Sequence, residues 1–197
     1  MNSKLITCAV VKLNQKAVIW LSATIVLLGV MGCGKIFPSS GYTVQRVSDG
    51  DTIVATDNQN QKITVRFACI DAPEVPHSRR ERESRKSIAR NQFKWGKRAQ
   101  KRVQELVKKG GDRVILNIVD SDRYGRKVAE VRLKNGTFIQ EVLVREGLAQ
   151  VYRRYLNQCP SKDIIQKAEA EAKKQRRGVW RDNKYVKSWE FRRIKLR

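Results

Sequence analysis

Histidine is nearly missing from this chain. Among 197 residues there is one, His77. A mechanism in which two histidines act as acid and base is therefore excluded, and so is a metal finger built on several histidines. His77 itself lies in a basic, weakly hydrophobic stretch and reads as a surface residue. Cysteine is also scarce. There are four, with no CxxC pair, which excludes a zinc ribbon. Cys8 and Cys33 fall near the N-terminus, leaving Cys69 and Cys159 for the folded body. Cys69 continues the alternation of Ile63, Val65 and Phe67, so it reads first as a small core residue. A Cys69–Cys159 disulfide is the alternative if the chain leaves the cytoplasm. Acids are the third shortage. Asp and Glu number 19 against 42 Lys and Arg, a formal net charge of +23. A balance this basic points to a polyanionic partner, nucleic acid ahead of an anionic lipid surface.

Residues 1–32 have a composition of their own. They hold Lys4, Lys12 and Lys16, no acids, and an apolar run over 17–31. A basic segment followed by an apolar run of this length matches a signal peptide; a membrane span needs about 20 apolar residues. The run ends in Val30-Met31-Gly32-Cys33, which resembles the lipobox of bacterial lipoproteins. That resemblance makes Cys33 a candidate lipidation site and implies a membrane-anchored, extracytoplasmic protein. A signal anchor or an ordinary cleaved signal would export the body equally. Residues 33–41, with Pro38-Ser39-Ser40-Gly41, read as a tether.

From Tyr42 the pattern turns to β. Alternating apolar residues predict strands over 42–47, 52–56, 62–70, 113–119 and 127–133. Asp49-Gly50, Tyr124-Gly125 and Asn135-Gly136 supply turns. Helical spacing predicts helices over 91–109, stopped by Gly110-Gly111, over 138–146, and over 161–175 with Ser161 as N-cap. Residues 75–90 read as a basic excursion and 183–197 as a basic C-terminal tail. Five strands with two to three helices make an α+β chain, and the expected architecture is an OB-fold five-stranded barrel over 42–182. No internal repeat is visible, and a monomer is the default expectation.

Given so few acids, their clustering is informative. Asp49, Asp51, Asp71 and Glu74 surround Arg66 in the strands that open the barrel. Asp51 opens the second strand and Asp71 follows the third, so adjacent strands could bring both carboxylates to one cation. Pro73 biases Ala72 toward extended backbone, which would leave its carbonyl free to coordinate. Oxygen donors alone suit a hard cation such as Ca²⁺ or Mg²⁺, with Ca²⁺ the better expectation outside the cytoplasm. Asp49 reads as a turn acid. Arg66 is a charge within an otherwise apolar strand, and Arg126 follows a turn. Guanidiniums so placed could meet the charge that develops on a phosphoryl group.

Four segments then converge on one family. Val47-Ser48-Asp49-Gly50-Asp51-Thr52, residues 66–74, Tyr124-Gly125-Arg126 and residues 141–149 resemble, in this order, the thermonuclease family typified by staphylococcal nuclease. The resemblance covers roughly 42–182. It implies Ca²⁺-dependent cleavage of DNA and/or RNA to 3′-phosphate ends. By position, it makes Asp51, Asp71 and the Ala72 carbonyl the metal ligands, and Glu74 the acid that activates water. Arg66 and Arg126 become the phosphate-binding pair, and Tyr124 and Tyr155 substrate-pocket residues. A neighbouring family tyrosine is Arg153 here, and the 75–90 segment is longer and more basic than in the type member.

Residues 75–109 carry 13 Lys and Arg against 3 acids, and those from Lys173 onward 11 against 2. Such runs either track phosphates or form solvated helix faces. Two other functions compete with the nuclease. One is a non-catalytic, envelope-anchored OB module that binds nucleic acid, which would have no need of acids facing a phosphate. The other is an envelope protein held to anionic lipid by its basic patches.

Overall fold

The computed structural model describes residues 41–195, with side chains through 194. The expected signal segment 1–32, the candidate lipidation site Cys33 and all of the expected tether except Gly41 lie outside the described residues.

Five strands close a barrel in the order β1-β2-β3-β6-β5. They are β1 (Tyr42–Val47), β2 (Thr52–Thr56), β3 (Lys62–Phe67), β5 (Arg113–Ser121) and β6 (Lys127–Leu133). Closure runs through Tyr42↔Val114 and Thr43↔Arg113. Neighbours are antiparallel except β3 and β6, which run parallel with Arg66 opposite Val128. β-Bulges at Val44/Arg46 and Ile118/Asp120 bend β1 and β5, which helps so small a sheet to close. Period-two alternation sends Ile53, Ala55, Val65, Phe67, Val114, Ala129, Val131 and Leu133 into a fully buried interior. This is the expected α+β, OB-type barrel.

The predicted third strand is shorter than its apolar pattern. β3 stops at Phe67, and a two-residue sheet follows, β4 (Ile70–Asp71) against β7 (Gln150–Val151). The break falls at Cys69, whose φ of 70° lies in the left-handed region and cannot continue a strand. Cys69 is bonded to Cys159, with Cα atoms 6.1 Å apart, a normal disulfide span. Cys69 is thus a core residue as expected, 6% exposed, and it also forms the disulfide given as the alternative. The crosslink sits two residues before Asp71 and ties β4 to the segment after β7.

Five helices surround the barrel among the described residues. The excursion folds in part as α1 (Arg79–Arg82) and the first turn of α2 (Ser87–Lys109). α2 buries Phe93, Trp95, Ala99, Val103, Leu106 and Val107, and Gly110 caps it with bonds to the Leu106 and Val107 carbonyls. α3 (Ile139–Arg145) packs on α4 (Lys162–Lys174). Ser161 precedes α4 but does not cap it with its side chain. Its hydroxyl donates instead to the buried carboxylate of Glu130, at 2.9 Å. Single 3₁₀ segments occupy Arg153–Gln158 and Gly178–Arg181.

The expected tail is the largest departure. Within it, Ser188–Lys195 form α5. Phe191, 4% exposed, joins Ala89 and Phe93 of α2 in a small second core, meeting Phe93 edge-on.

Candidate active site

The acids converge because two glycines let the backbone close in. A Cβ on Gly50 would lie 2.6 Å from the Ala99 Cβ and 2.7 Å from the Ala72 Cβ. Only glycine therefore lets the β1–β2 turn sit against both α2 and the strand carrying Asp71. Gly96 does the same for Glu74: a Cβ there would come 1.9 Å from the Glu74 carbonyl oxygen. The Gln92 amide fixes the N–H side of the same residue. Oriented with its nitrogen on the Val186 carbonyl, its oxygen accepts from the Glu74 N–H at 3.2 Å and from Ser188.

Asp51 and Asp71 are 3% and 0% exposed. Arg66 joins them, one nitrogen donating to Asp51 Oδ1 and the other to Asp71 Oδ1 at 2.7 Å. The second Asp51 oxygen accepts the Ala72 N–H at 2.7 Å, so Ala72 is held beside the acids by its own amide. Asp49 behaves as a turn acid, its Oδ1 accepting the Asp51 N–H at 2.9 Å. Burial and the nearby Asp51 push the Asp49 carboxyl up to about 8. Burial and Asp51 also raise Asp71, against the opposing pull of Arg66 and Arg192. Burial disfavours the Arg66 charge, but Asp51 and Asp71 outweigh it and hold the guanidinium firmly protonated.

The other predicted residues lie at the periphery. Arg126 immediately precedes β6, two residues before Val128, the partner of Arg66. Its guanidinium is held by Asp122, with Nε donating at 2.7 Å. Tyr124 is 69% exposed on the same turn, with the Arg123 and Arg126 guanidiniums over its ring. Tyr155 is 46% exposed in the first 3₁₀ segment, beside Tyr152 and Arg154.

Sequence reasoning passed over one residue at the centre. Arg192 of α5 donates to both oxygens of Asp71, at 3.2 and 2.7 Å, and to Glu74 Oε1 at 2.6 Å. Its only sequence signal is indirect: Trp189 and Phe191 are aromatic within a basic run, the mark of a segment that packs. The run's general basicity hid the one arginine that turns inward.

No group of three or more His, Cys, Asp or Glu arranged to hold a metal occurs among the described residues. The donors that a cation would find are two carboxylates and a carbonyl. Two observations make them fit a hard cation. The donor set is oxygen only, and both carboxylates are buried side by side, bridged by one guanidinium.

Buried acids bridged by arginines, set on an OB-type barrel in a strongly basic protein, define a hydrolase of phosphodiester bonds. The particular family follows from comparison with known proteins. Residues 64–182 match the family model described as "Staphylococcal nuclease homologue". The chain belongs to this family, and it is a nuclease. It is 37% identical over 145 residues to the SPbeta prophage-derived endonuclease YokF of Bacillus subtilis (strain 168), covering 73% of this chain and 45% of that one. It is 32% identical over 152 residues to an uncharacterized endonuclease of Escherichia coli O157:H7, covering 77% and 84% of the two chains. With a micrococcal nuclease of Shigella flexneri it shares 33% over 158 residues, 76% of this chain and 79% of the other. The family segment contains Arg66, Asp71, Ala72, Glu74, Tyr124, Arg126 and Tyr155. Asp51 precedes it and Arg192 lies beyond it.

Proposed function

We propose that this nuclease is a calcium-dependent endonuclease of DNA and/or RNA that works outside the cytoplasm and leaves 3′-phosphate ends. The observation that carries the proposal is the bridged pair of buried acids, Asp51 and Asp71, with Glu74 three residues further on. Asp51, Asp71 and the Ala72 carbonyl would hold the cation. Bound there, it supplies Lewis-acid polarisation of the phosphoryl oxygens. Arg66 lies between the two acids, placed to meet charge that grows on a phosphate beside them. Arg126 would join it on leaving Asp122. Glu74 keeps its backbone fixed by Gln92 and Gly96 and accepts or orients the proton of the attacking water. Tyr124 and Tyr155, exposed and flanked by arginines, offer stacking faces to bases. The product ends follow from the family resemblance.

Export is supported by the Cys69–Cys159 disulfide, which persists in oxidising compartments. Residues 1–32 would direct it, with Cys33 as the lipid anchor to the membrane. The test of the catalytic claim is cleavage of plasmid and RNA with Ca²⁺, Mg²⁺ or chelator, followed by end-group analysis. Terminal 3′-phosphates formed only with Ca²⁺ are expected. 5′-Phosphate ends, or equal rates in chelator, would refute it.

A further inference from the structure

The catalytic acids are not held by the barrel alone. Asp71 comes from β4, and Glu74 from the extended chain that follows it. Both meet a guanidinium delivered from the other end of the folded domain. Arg192 Nη1 reaches Asp71 Oδ1 and Glu74 Oε1, while Nη2 takes Asp71 Oδ2. One planar, five-donor group thus fixes the spacing of two acids that belong to different roles, which a lysine's single ammonium would hold far more loosely. Oε1 of Glu74 is taken by this contact. Glu74 is thereby oriented about its own side-chain axis and not merely placed in the site.

The delivery is built into the fold. α5 is seated on α2 by Phe191, and Ser188 is 1% exposed, its hydroxyl donating to the Gln92 amide oxygen at 3.0 Å. Tyr185, just before α5, contacts Ser188 at 3.1 Å. The same Gln92 amide also accepts the Glu74 N–H. One α2 side chain therefore ties together the helix that carries Arg192 and the residue that Arg192 orients. Arg193, next along the chain, is exposed and has no such contact with the acids.

We infer that Arg192 is a positioning residue for cleavage: through α5 it holds Glu74 and Asp71 at the spacing that the reaction needs. The inference rests on Glu74 as the water-handling acid. It extends the working active site beyond the family segment, which ends at residue 182.

The test is steady-state cleavage of a single-stranded oligonucleotide by the wild type, Arg192→Ala, Arg192→Lys and Arg193→Ala, at saturating cation. Arg192→Ala is expected to lower kcat about 10–100-fold, the scale of lost charge-assisted bonds, with KM changed less than about 3-fold. Arg193→Ala removes the same charge from the same helix and should leave kcat as it is. Arg192→Lys keeps the charge and guards against failure to fold; it should recover part of kcat only, because it cannot bridge both acids. Binding of the oligonucleotide in chelator, read by fluorescence anisotropy, should weaken equally and slightly in Arg192→Ala and Arg193→Ala. A loss of binding confined to Arg192→Ala, with kcat retained, would make Arg192 a phosphate contact and overturn the inference. A rise in kcat would make α5 an inhibitory plug and overturn it equally. So would full recovery in Arg192→Lys. Glu74→Gln separates the two levels. If it keeps wild-type turnover, the Glu74 assignment fails; if it is inactive while Arg192→Ala is fully active, only the role of Arg192 fails.

Discussion

Reduction of the Cys69–Cys159 disulfide should destabilise the domain by an amount that its loop length sets. The crosslink spans 90 residues, from the end of β3 to the segment before α4. Closing a loop of that length in the unfolded chain removes conformational entropy worth about 4–5 kcal/mol at 25 °C, toward the upper end of what single disulfides contribute. For a domain of this size each kcal/mol moves Tm by about 2–4 °C, so reduction should lower Tm by roughly 8–20 °C. The loss should be felt first near Asp71. The Tyr152 N–H bonds the Cys69 carbonyl at 2.9 Å, and the next pairs along are Ile70↔Val151 and Asp71↔Gln150. The assay is a pair of thermal melts, with and without reductant, repeated on the Cys69→Ala/Cys159→Ala double variant. Cleavage by the reduced protein at 25 °C should fall more than its folded fraction does, because the two-stranded sheet carrying Asp71 loosens before the barrel melts. A Tm shift below about 2 °C, or thiol labelling of Cys69 and Cys159 in the native protein, would refute the reasoning.

Three further outcomes follow from particular contacts. Gly96→Ala should abolish turnover while leaving the barrel folded, because the added Cβ lands on the Glu74 carbonyl; circular dichroism and cleavage rates check both halves. Asp182 accepts bonds from Trp95, Asn91 and the Lys184 N–H, with Lys94 nearby, and these hold its carboxyl down at about 2. The folded-state value lies below the unfolded one, so its stabilisation is complete above about pH 4 and fades as pH falls toward 2. Asp182→Asn should therefore lose about 1–2 kcal/mol at neutral pH, and the loss should shrink as pH falls through about 2 in denaturant titrations. Arg176 occupies the left-handed position after α4, at φ 49°, where glycine is preferred. Arg176→Gly should raise stability by up to about 1 kcal/mol in the same titrations.

The barrel was legible because its strands alternate and its turns carry Asp-Gly and Asn-Gly pairs. The acids stood out because the chain has so few. What escaped was set by packing and backbone angles. Residues 62–70 alternate like one strand, yet a left-handed φ at Cys69 ends it early, and no side-chain pattern announces that angle. Gly50 looked like a turn glycine, but it is required by the approach of Ala99 and Ala72. Gly96 gave no sign at all inside a helical stripe. Ser161 had the chemistry of an N-cap, and Glu130, distant in sequence, claimed its hydroxyl. Arg192 was hidden by its neighbours: among so many cations, only the fold distinguishes the one whose partners are Asp71 and Glu74.

The central claim, that Asp51, Asp71 and Glu74 form a cation-assisted phosphodiesterase site, is tested most directly by plasmid cleavage. The rate should be compared for the wild type and Glu74→Gln, each with Ca²⁺ and with excess chelator. The account predicts rapid nicking by the wild type with Ca²⁺, none in chelator, and a loss of about 100-fold or more in Glu74→Gln. Cleavage that persists in chelator, or at the wild-type rate in Glu74→Gln, would contradict it.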